Sequence, residues 1–320
     1  MTRQKKAREK AMLLSVVTVN WNSRDDLAAC LASMAAQTHT ELEVLVVDNG
    51  STDGSADMVR SQFPQFTLLV QTANLGFAEG CNVGIERAAG SWIALLNNDA
   101  IAEPNWARAL VEAAEAAPAA CGMLQSLMLF QRDPPTVNST GVGLTCQGTG
   151  FDRGEGAAPP AAGAPLEAIF CPTGGAAAYR RSMLDALRLP TGYLDRTHFC
   201  YYEDMDLGWR ARLASYEALY VPASVVHHRY HGSTVRRGRA WLVELSTINR
   251  IRTLLKNASL GFILKSLPTS CQQLVRLPFV CGPSSLLKYL TAVRESLASR
   301  KLVDALRVVP RASVERRWAS

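Results

Sequence analysis

Val44-Leu45-Val46-Val47-Asp48-Asn49-Gly50-Ser51-Thr52-Asp53 joins a short apolar, β-branched run to a polar turn. An uninterrupted run of that kind suits a strand buried on both faces of a parallel sheet. The arrangement recurs twice. Leu13 to Val19 leads into Asn20-Trp21-Asn22, and Trp92-Ile93-Ala94-Leu95-Leu96 leads into Asn97-Asn98-Asp99. Open α/β sheets bind their ligands outside the carboxyl ends of the strands. Polar groups collected there can hold a divalent metal, a ribose or a proton in transit.

Helical spacing fills the gaps between these strands. Asp25 to Gln37 puts Leu27, Cys30, Leu31 and Met34 on one face, with Ser23 placed to cap it. Ser55 to Gln62, Gly80 to Ala89 (closed by Gly90) and Asn105 to Ala116 also read as helices, and Phe66 to Gln71 reads as a strand. Strand–helix alternation over about 120 residues predicts an α/β protein with a parallel, doubly wound sheet. Beyond Pro118 the pattern changes. Met123 to Phe130, Ala218 to Val221 and Val225-Val226 are strand-like, while Ser182 to Leu187 and Asp204 to Ala214 are helical. Gly154 to Pro165 reads as a surface loop able to act as a lid. Gly174-Gly175 marks a place where backbone must approach something closely. From Trp241 onward the chain turns helical.

At 320 residues, 48% hydrophobic and 19% charged, the chain is globular rather than disordered. Its net charge of +6 is concentrated near the ends, and five of the first ten residues are Lys or Arg. Basic ends around a more acidic middle suit an anionic surface, either membrane headgroups or polyphosphate; solvated ends that aid solubility are the plainer alternative. Nucleic acid fits poorly, because the cations do not surround the acidic strand ends. Eight cysteines form no Cys-x-x-Cys pair, which argues against a zinc ribbon or a thioredoxin-like site and favours a reducing cytoplasm. Ala11 to Val19 imitates a signal segment but meets no small-residue cleavage site, and reads as the first strand. No apolar run approaches the roughly 20 residues that span a bilayer.

Five constellations carry candidate chemistry. Asp48, at the end of its strand, can accept hydrogen bonds from a base or ribose, or can simply cap an Asn-Gly turn. Asp99, beside Asn97 and Asn98, can hold a hard cation through oxygen, or cap the next helix. Glu203-Asp204-x-Asp206 opens a helix after two tyrosines, and can supply a general base or favour the helix dipole. His227-His228-x-x-His231 offers metal ligands. Asn74-Leu75-Gly76-Phe77-Ala78, with Asn82, can present amides and backbone N–H groups to a nucleotide. It matches no Walker or Gly-x-Gly-x-x-Gly loop.

Together these residues resemble glycosyltransferase family 2, enzymes of the GT-A fold, and most closely its rhamnosyltransferase-like branch. The matching motifs run in family order: Val17-Thr18-Val19-Asn20-Trp21-Asn22, Val47 to Asp53, Asn74 to Ala78, Leu95 to Asp99, Tyr201 to Leu207, and Val221-Pro222 leading to His228 and His231-Gly232-Ser233. The resemblance implies a doubly wound, Rossmann-like nucleotide-binding sheet with a C-terminal helical extension. It implies a nucleotide-sugar pocket built from Thr18, Asn20, Asn22, Asp48, Asn49, Ser51, Asn74, Gly76, Phe77, Asn82, Asn97, Asn98 and Asp99. It implies Asp204 as catalytic base, Glu203, Gly174 and Gly175 as acceptor-side wall, and Asp99 with His228 as ligands of Mg²⁺ or Mn²⁺. Asn97 stands at the first acidic position of the family's metal motif, so the metal would rest on fewer charges. Ser215 stands where relatives often have Gly, which bears on a turn.

The implied reaction is an inverting transfer of a sugar, with a lean to rhamnose from a dTDP donor, to a glycan or lipid-linked acceptor in surface polysaccharide synthesis. A catalytically silent sugar-nucleotide binder is the alternative; a nucleotidyltransferase would need a Gly-rich loop after Val19. The expected organisation is a basic tail at 1–12, a GT-A domain at 13–234 with a nucleotide-sugar half (13–118) and an acceptor half (119–234), and a helical region at 235–320. Arg237, Arg239, Arg250, Arg252 and Lys256 among Leu254, Leu255, Leu260, Phe262 and Ile263 read as helices resting on an anionic bilayer, or as a helical cap over the core. The expected location is the cytoplasm, peripheral at the inner face of the plasma membrane.

Overall fold

The computed structural model describes residues 12–229 and 238–320; the basic tail, His231-Gly232-Ser233 and Arg237 lie outside the described residues. The first half runs β1 (Leu14–Asn20), α1 (Arg24–Ala35), β2 (Leu42–Asp48), α2 (Ser55–Gln62), β3 (Thr67–Val70), α3 (Phe77–Arg87), β4 (Trp92–Leu96), β5 (Ala100–Ala102) and α4 (Trp106–Ala116). There follow β6 (Cys121–Phe130), β7 (Val137–Ser139), β8 (Val142–Leu144), β9 (Gly150–Asp152), β10 (Glu167–Ala168), β11 (Ala176–Arg180), α5 (Arg181–Leu187), a 3-10 turn (Arg196–His198), α6 (Glu203–Leu213) and β12 (Glu217–His228). Four helices close the chain: α7 (Arg239–Asn257), α8 (Leu260–Cys281), α9 (Ser284–Leu306) and α10 (Arg311–Trp318).

Ten strands form one mixed sheet in the order β10-β12-β6-β11-β4-β1-β2-β3, with β5 paired to β12 and β7 to β6. The parallel part is β4-β1-β2-β3. β11 then enters antiparallel between β4 and β6. The alternation of apolar runs has its cause in the two layers. Val16 packs with Leu27, Leu31 and Trp106 on one face, while its neighbour Val17 packs with Cys81, Ile85 and Leu184 on the other. Both faces of β1 are buried, and the two polar residues it carries before Asn20, Ser15 and Thr18, are buried with it.

Several boundaries differ from expectation. Helix α3 begins at Phe77, three residues ahead of the predicted Gly80, because Gly76 (φ +87°) supplies the turn into it. Ser23 stands at the N-cap of α1, but its side chain makes no capping bond. The two short runs at Ala218–Val221 and Val225-Val226 are one strand, β12, with a register shift against β6 between them. Gly154 to Pro165 is an exposed run without strand or helix.

The C-terminal helices correct the reading of their cations. Arg250 and Lys256 were expected at an anionic surface, yet each is only 1% exposed. The guanidinium of Arg250 donates to Ser270 Oγ (3.1 Å), Gln273 Oε1 (3.0 Å) and the carbonyl of Gln147. The ammonium of Lys256 lies 2.5 Å from Asp195 Oδ2 and 2.8 Å from Asp206 Oδ1. Arg252 pairs with Glu295 at 2.6 Å. Leu254 and Phe262 are likewise buried, in a cluster with Leu144, Phe170, Trp209 and Val314. Helices α7, α8 and α10 therefore pack on the α/β body. Among the described residues, no helix is long and apolar enough to cross a membrane.

Candidate active site

The parallel register brings the strand ends together, since Asn20 lies directly beside Asp48. The turn after β2 is built by hydrogen bonds. Ser51 N–H donates to Asp48 Oδ1 (2.9 Å), and Asn22 N–H donates to Ser51 Oγ (3.0 Å). Asn20 Nδ2 donates to Ser51 Oγ (3.2 Å), and Asn98 Nδ2 donates to Asn20 Oδ1 (2.7 Å). Gly50 has φ +74°, and a Cβ there would stand 2.9 Å from the backbone of Ala73, so this turn excludes other residues. Asn49 Nδ2 reaches the carbonyl of Gly76 at 2.9 Å and ties the turn to the start of α3.

Above these ends lies a cavity of about 530 Å³. Asn49, Asn74, Gly76, Phe77, Asn97, Asn98, Asp99, Gly174, Gly175, Glu203, Asp204 and His228 line it, twelve of the residues expected there. Thr18, Asn20, Asn22, Asp48, Ser51 and Asn82 do not reach its wall. Thr18, Asn20 and Asp48 are buried beneath it and shape the turn. Asn82 bonds both ways to the backbone of Leu194, at 2.9 and 3.0 Å, and anchors that loop to α3.

One wall joins Asp99 to His228. The chain turns back after Asn98 so that β5 pairs antiparallel with β12, placing His228 opposite Ala100. His228 Nε2 then lies 3.0 Å from Asp99 Oδ1, and Nδ1 lies 2.8 Å from Asn138 Oδ1. Adjacent strand residues face opposite ways, so His227 instead meets Glu103 at 3.1 Å. Asn138 Oδ1 can only accept, so Nδ1 donates to it and Nε2 is the ring atom that faces the carboxylate. Two electron-rich atoms at that distance need a proton or a cation between them. One carboxylate and one imidazole are donors that would suit Mg²⁺ or Mn²⁺. Among the described residues, no group of three or more His, Cys, Asp or Glu is placed to hold a metal by itself.

The opposite wall is the start of α6. Phe199, Tyr201 and Tyr202 all have positive φ (60°, 68° and 71°), and this concentration of left-handed non-glycine backbone sets the direction of the helix. Asp204, in the first turn, accepts the N–H of Gly174 at 2.8 Å. Burial pushes the Asp204 carboxyl above the usual range, and the N–H donors of Gly174 and Met205 hold it partly down. A Cβ on Gly174 would stand 3.2 Å from the Phe77 ring, a tight contact, and 3.7 Å from Asp204 Cβ, an ordinary one. Glu203 is buried beneath, and burial followed by the charge of Asp204 raises its carboxyl well above normal. Asp206 is spent elsewhere, held by Arg210 Nε (3.1 Å), Lys256 and Asn257. The three acids thus divide into a cavity carboxyl, a buried floor and a structural anchor.

Sequence reasoning missed Asn138, Ser139, Asp152 and Trp241, which also line the cavity. Asp152, at the end of β9, is exposed at the cavity's edge. Trp241, on α7, packs edge-on to Phe199 with ring centroids 6.2 Å apart. Asn138 and Ser139 belong to the three-residue β7, which carries no periodicity, and nothing local singled out Asp152 or Trp241 either.

Comparison with known proteins agrees with this layout. The family model "Glycosyl transferase family 2" matches residues 15–188, more than half of the chain. N-acetylglucosaminyl-diphospho-decaprenol L-rhamnosyltransferase of Mycobacterium tuberculosis is 29% identical over 255 residues, 69% of this chain and 78% of that protein. An uncharacterized glycosyltransferase of Nostoc sp. is 34% identical over 104 residues, 32% of each chain. The fold is similar to that of the mannosyltransferase PcManGT from Pyrobaculum calidifontis, solved in complex with GDP-Man and Mn²⁺. The TM-score is 0.55 at 17% identity, covering 97% of this chain and 80% of that one. With the strand-end motifs in order around one cavity and the family model matched over most of the sheet, the chain belongs to glycosyl transferase family 2.

Proposed function

We propose that the protein transfers a sugar, with inversion, from a nucleotide diphosphate donor to a hydroxyl of a glycan or lipid-linked acceptor in cell-surface polysaccharide synthesis. Rhamnose is the preferred sugar, on the strength of the rhamnosyltransferase relative; a dTDP donor follows only from the resemblance of the sequence motifs. Eight free cysteines, four of them buried, suit work in the reducing cytoplasm. The observation that carries the reading is the presence of Asp204 and the Asp99–His228 pair on one cavity.

Asp204 is the base. As the acceptor oxygen attacks the anomeric carbon, its proton passes to the Asp204 carboxylate and the bond from that carbon to the diphosphate breaks. Burial brings the Asp204 pKa upward, nearer the working pH, which makes it a stronger base. The Gly174 N–H holds one carboxylate oxygen and fixes its aim. Asp99 and His228 are the residues that would hold Mg²⁺ or Mn²⁺, which when bound would supply positive charge to the leaving diphosphate. Asn49, Asn74, Asn97 and Asn98 offer amides to the donor, and Gly174-Gly175 with Glu203 bound the acceptor side.

The test pairs calorimetry on a panel of nucleotide sugars, with and without Mn²⁺, with transfer to a lipid-linked acceptor. Asp204→Asn should lose about 10²- to 10⁴-fold in turnover while donor affinity stays near wild type. Asp99→Ala should lose the metal dependence of donor binding. A variant Asp204→Asn that keeps most of its turnover would rule out Asp204 as the base. Binding of a donor without any transfer or hydrolysis would mark a silent binder.

A further inference from the structure

Among the described residues, every exposed large apolar side chain except Val70, Leu75, Phe151, Leu166 and Tyr201 lies between Leu260 and Val308. All of these but Val308 lie on the outward faces of α8 and α9, two neighbouring helices. The inward face of α8 is made by Phe262, Ser266, Ser270 and Leu277, and that of α9 by Tyr289, Ala292, Ser296 and Val303. Outside stand Leu264, Val275 and Phe279 on α8, and Leu287, Leu290 and Leu297 on α9. Phe279 is 86% and Leu287 71% exposed, so the apolar face is most open at the α8–α9 turn. A contiguous patch of this kind marks an interaction surface.

Charge selects the occupant. From Leu260 to Arg294 the chain contains no Asp or Glu, while Lys265, Arg276, Lys288 and Arg294 fall within it. The next acids are already engaged, Glu295 with Arg252 and Asp304 with Arg311. A symmetric contact with a second copy would set these cations against themselves. Helices that combine leucine, phenylalanine and basic residues without acids suit an interface of acyl chains and anionic headgroups.

The turn also packs against the start of α7, which borders the cavity. Cys281 Sγ lies 3.2 Å from the carbonyl of Ala240, and Lys288 pairs with Glu244 at 2.8 Å. Both partners belong to the first turns of α7, whose Trp241, Leu242 and Ser246 line the cavity. We propose that the outward face of α8 and α9 is a docking surface for an anionic lipid bilayer, seated so that the cavity opens at the membrane surface. The surface itself is independent of the reaction; its service to a lipid-linked acceptor rests on the function proposed above.

The experiment is co-sedimentation of the full chain with phosphatidylcholine vesicles, with and without phosphatidylglycerol. Wild type should bind the mixed vesicles, bind the neutral ones much less, and weaken as salt rises. Lys265→Gln and Arg276→Gln should each lower partitioning about fivefold. Phe279→Glu with Leu287→Glu should abolish it, although the basic tail is intact. An unchanged melting temperature and unchanged donor binding would show that these variants are folded. Wild type that stays in the supernatant, binds both vesicles equally, or is matched by Phe279→Glu with Leu287→Glu overturns the proposal. So does a concentration-dependent dimer that the double variant dissolves. Vesicle binding without sugar transfer would leave the surface standing and refute the reaction instead.

Discussion

Lys256→Met tests the buried charge cluster that joins α6 to α7. The ammonium is 1% exposed and touches Asp195 at 2.5 Å and Asp206 at 2.8 Å. Methionine matches its length and removes the charge. Asp206 keeps Arg210 and Asn257 as partners. Asp195 keeps only the hydroxyl and N–H of Thr197, at 2.8 and 3.1 Å, and the neighbouring His198 ring at 4.0 Å. An uncompensated buried charge costs about 3–5 kcal/mol. Protonation of Asp195 caps that cost, because raising a carboxyl from its ordinary pKa to neutrality takes about 1.4 kcal/mol per unit. The expected loss at pH 7 is therefore about 3–4 kcal/mol. The pH dependence has a definite sign. In the wild type both carboxyls are held below their usual range, Asp195 chiefly by Lys256, so their contribution is present above the ordinary carboxylate pKa and is lost only in strong acid. In the variant Asp195 rises instead, and the penalty relaxes as pH falls from 7 toward 4. Urea unfolding of wild type and variant at pH 7 and pH 5 measures both numbers, and Asp195→Asn in the variant should restore most of the loss. A loss below about 1 kcal/mol, or one independent of pH, would refute the assignment of the cluster as a lock.

Two further outcomes follow from the same kind of accounting. His198 is buried and its pKa is lowered to about 4, first by burial and then by Lys256. Its neutral form is favoured in the fold, so stability is full above pH 6.5 and is lost as pH falls from 6.5 to about 4. Replacing it by Gln should flatten the slope of urea stability across that window. Gly84→Ala would place a Cβ 2.3 Å from Val17 Cγ1, where α3 lies directly on β1. The helix must lift, at a cost of about 1–3 kcal/mol in thermal unfolding; a neutral result would show that α3 packs more loosely than these distances require.

The parallel part of the sheet was legible because each of its central strands is buried on both faces and ends in polar residues at the same edge. The apolar runs of β1, β2 and β4, followed by Asn20, Asp48 and Asn97, carried both the layers and the position of the cavity. The start of α6 was legible too, since acids gather at a helix N-terminus. What separates Asp204 from Asp206 was not: that depends on Lys256, which lies some fifty residues away and reads as a surface cation by its neighbours. Arg250 misled in the same way, because its partners Ser270 and Gln273 become neighbours only when α7 and α8 pack. Asp152 sits in a three-residue strand that carries no periodicity, and Trp241 reaches the cavity from a helix that looks separate in the sequence.

β11 occupies the middle of the sheet, yet it is synthesised after both of its neighbours, β4 and β6. While the chain grows, β4 presents an open hydrogen-bonding edge until Arg180 has left the ribosome. Open apolar edges recruit other strands, and pairings distant in sequence form slowly. The nascent first half is thus a template awaiting its own filler. A cut after Pro118 would separate that template from the strand that closes it, so the portions before and after Pro118 share one folding unit and are not exchangeable modules.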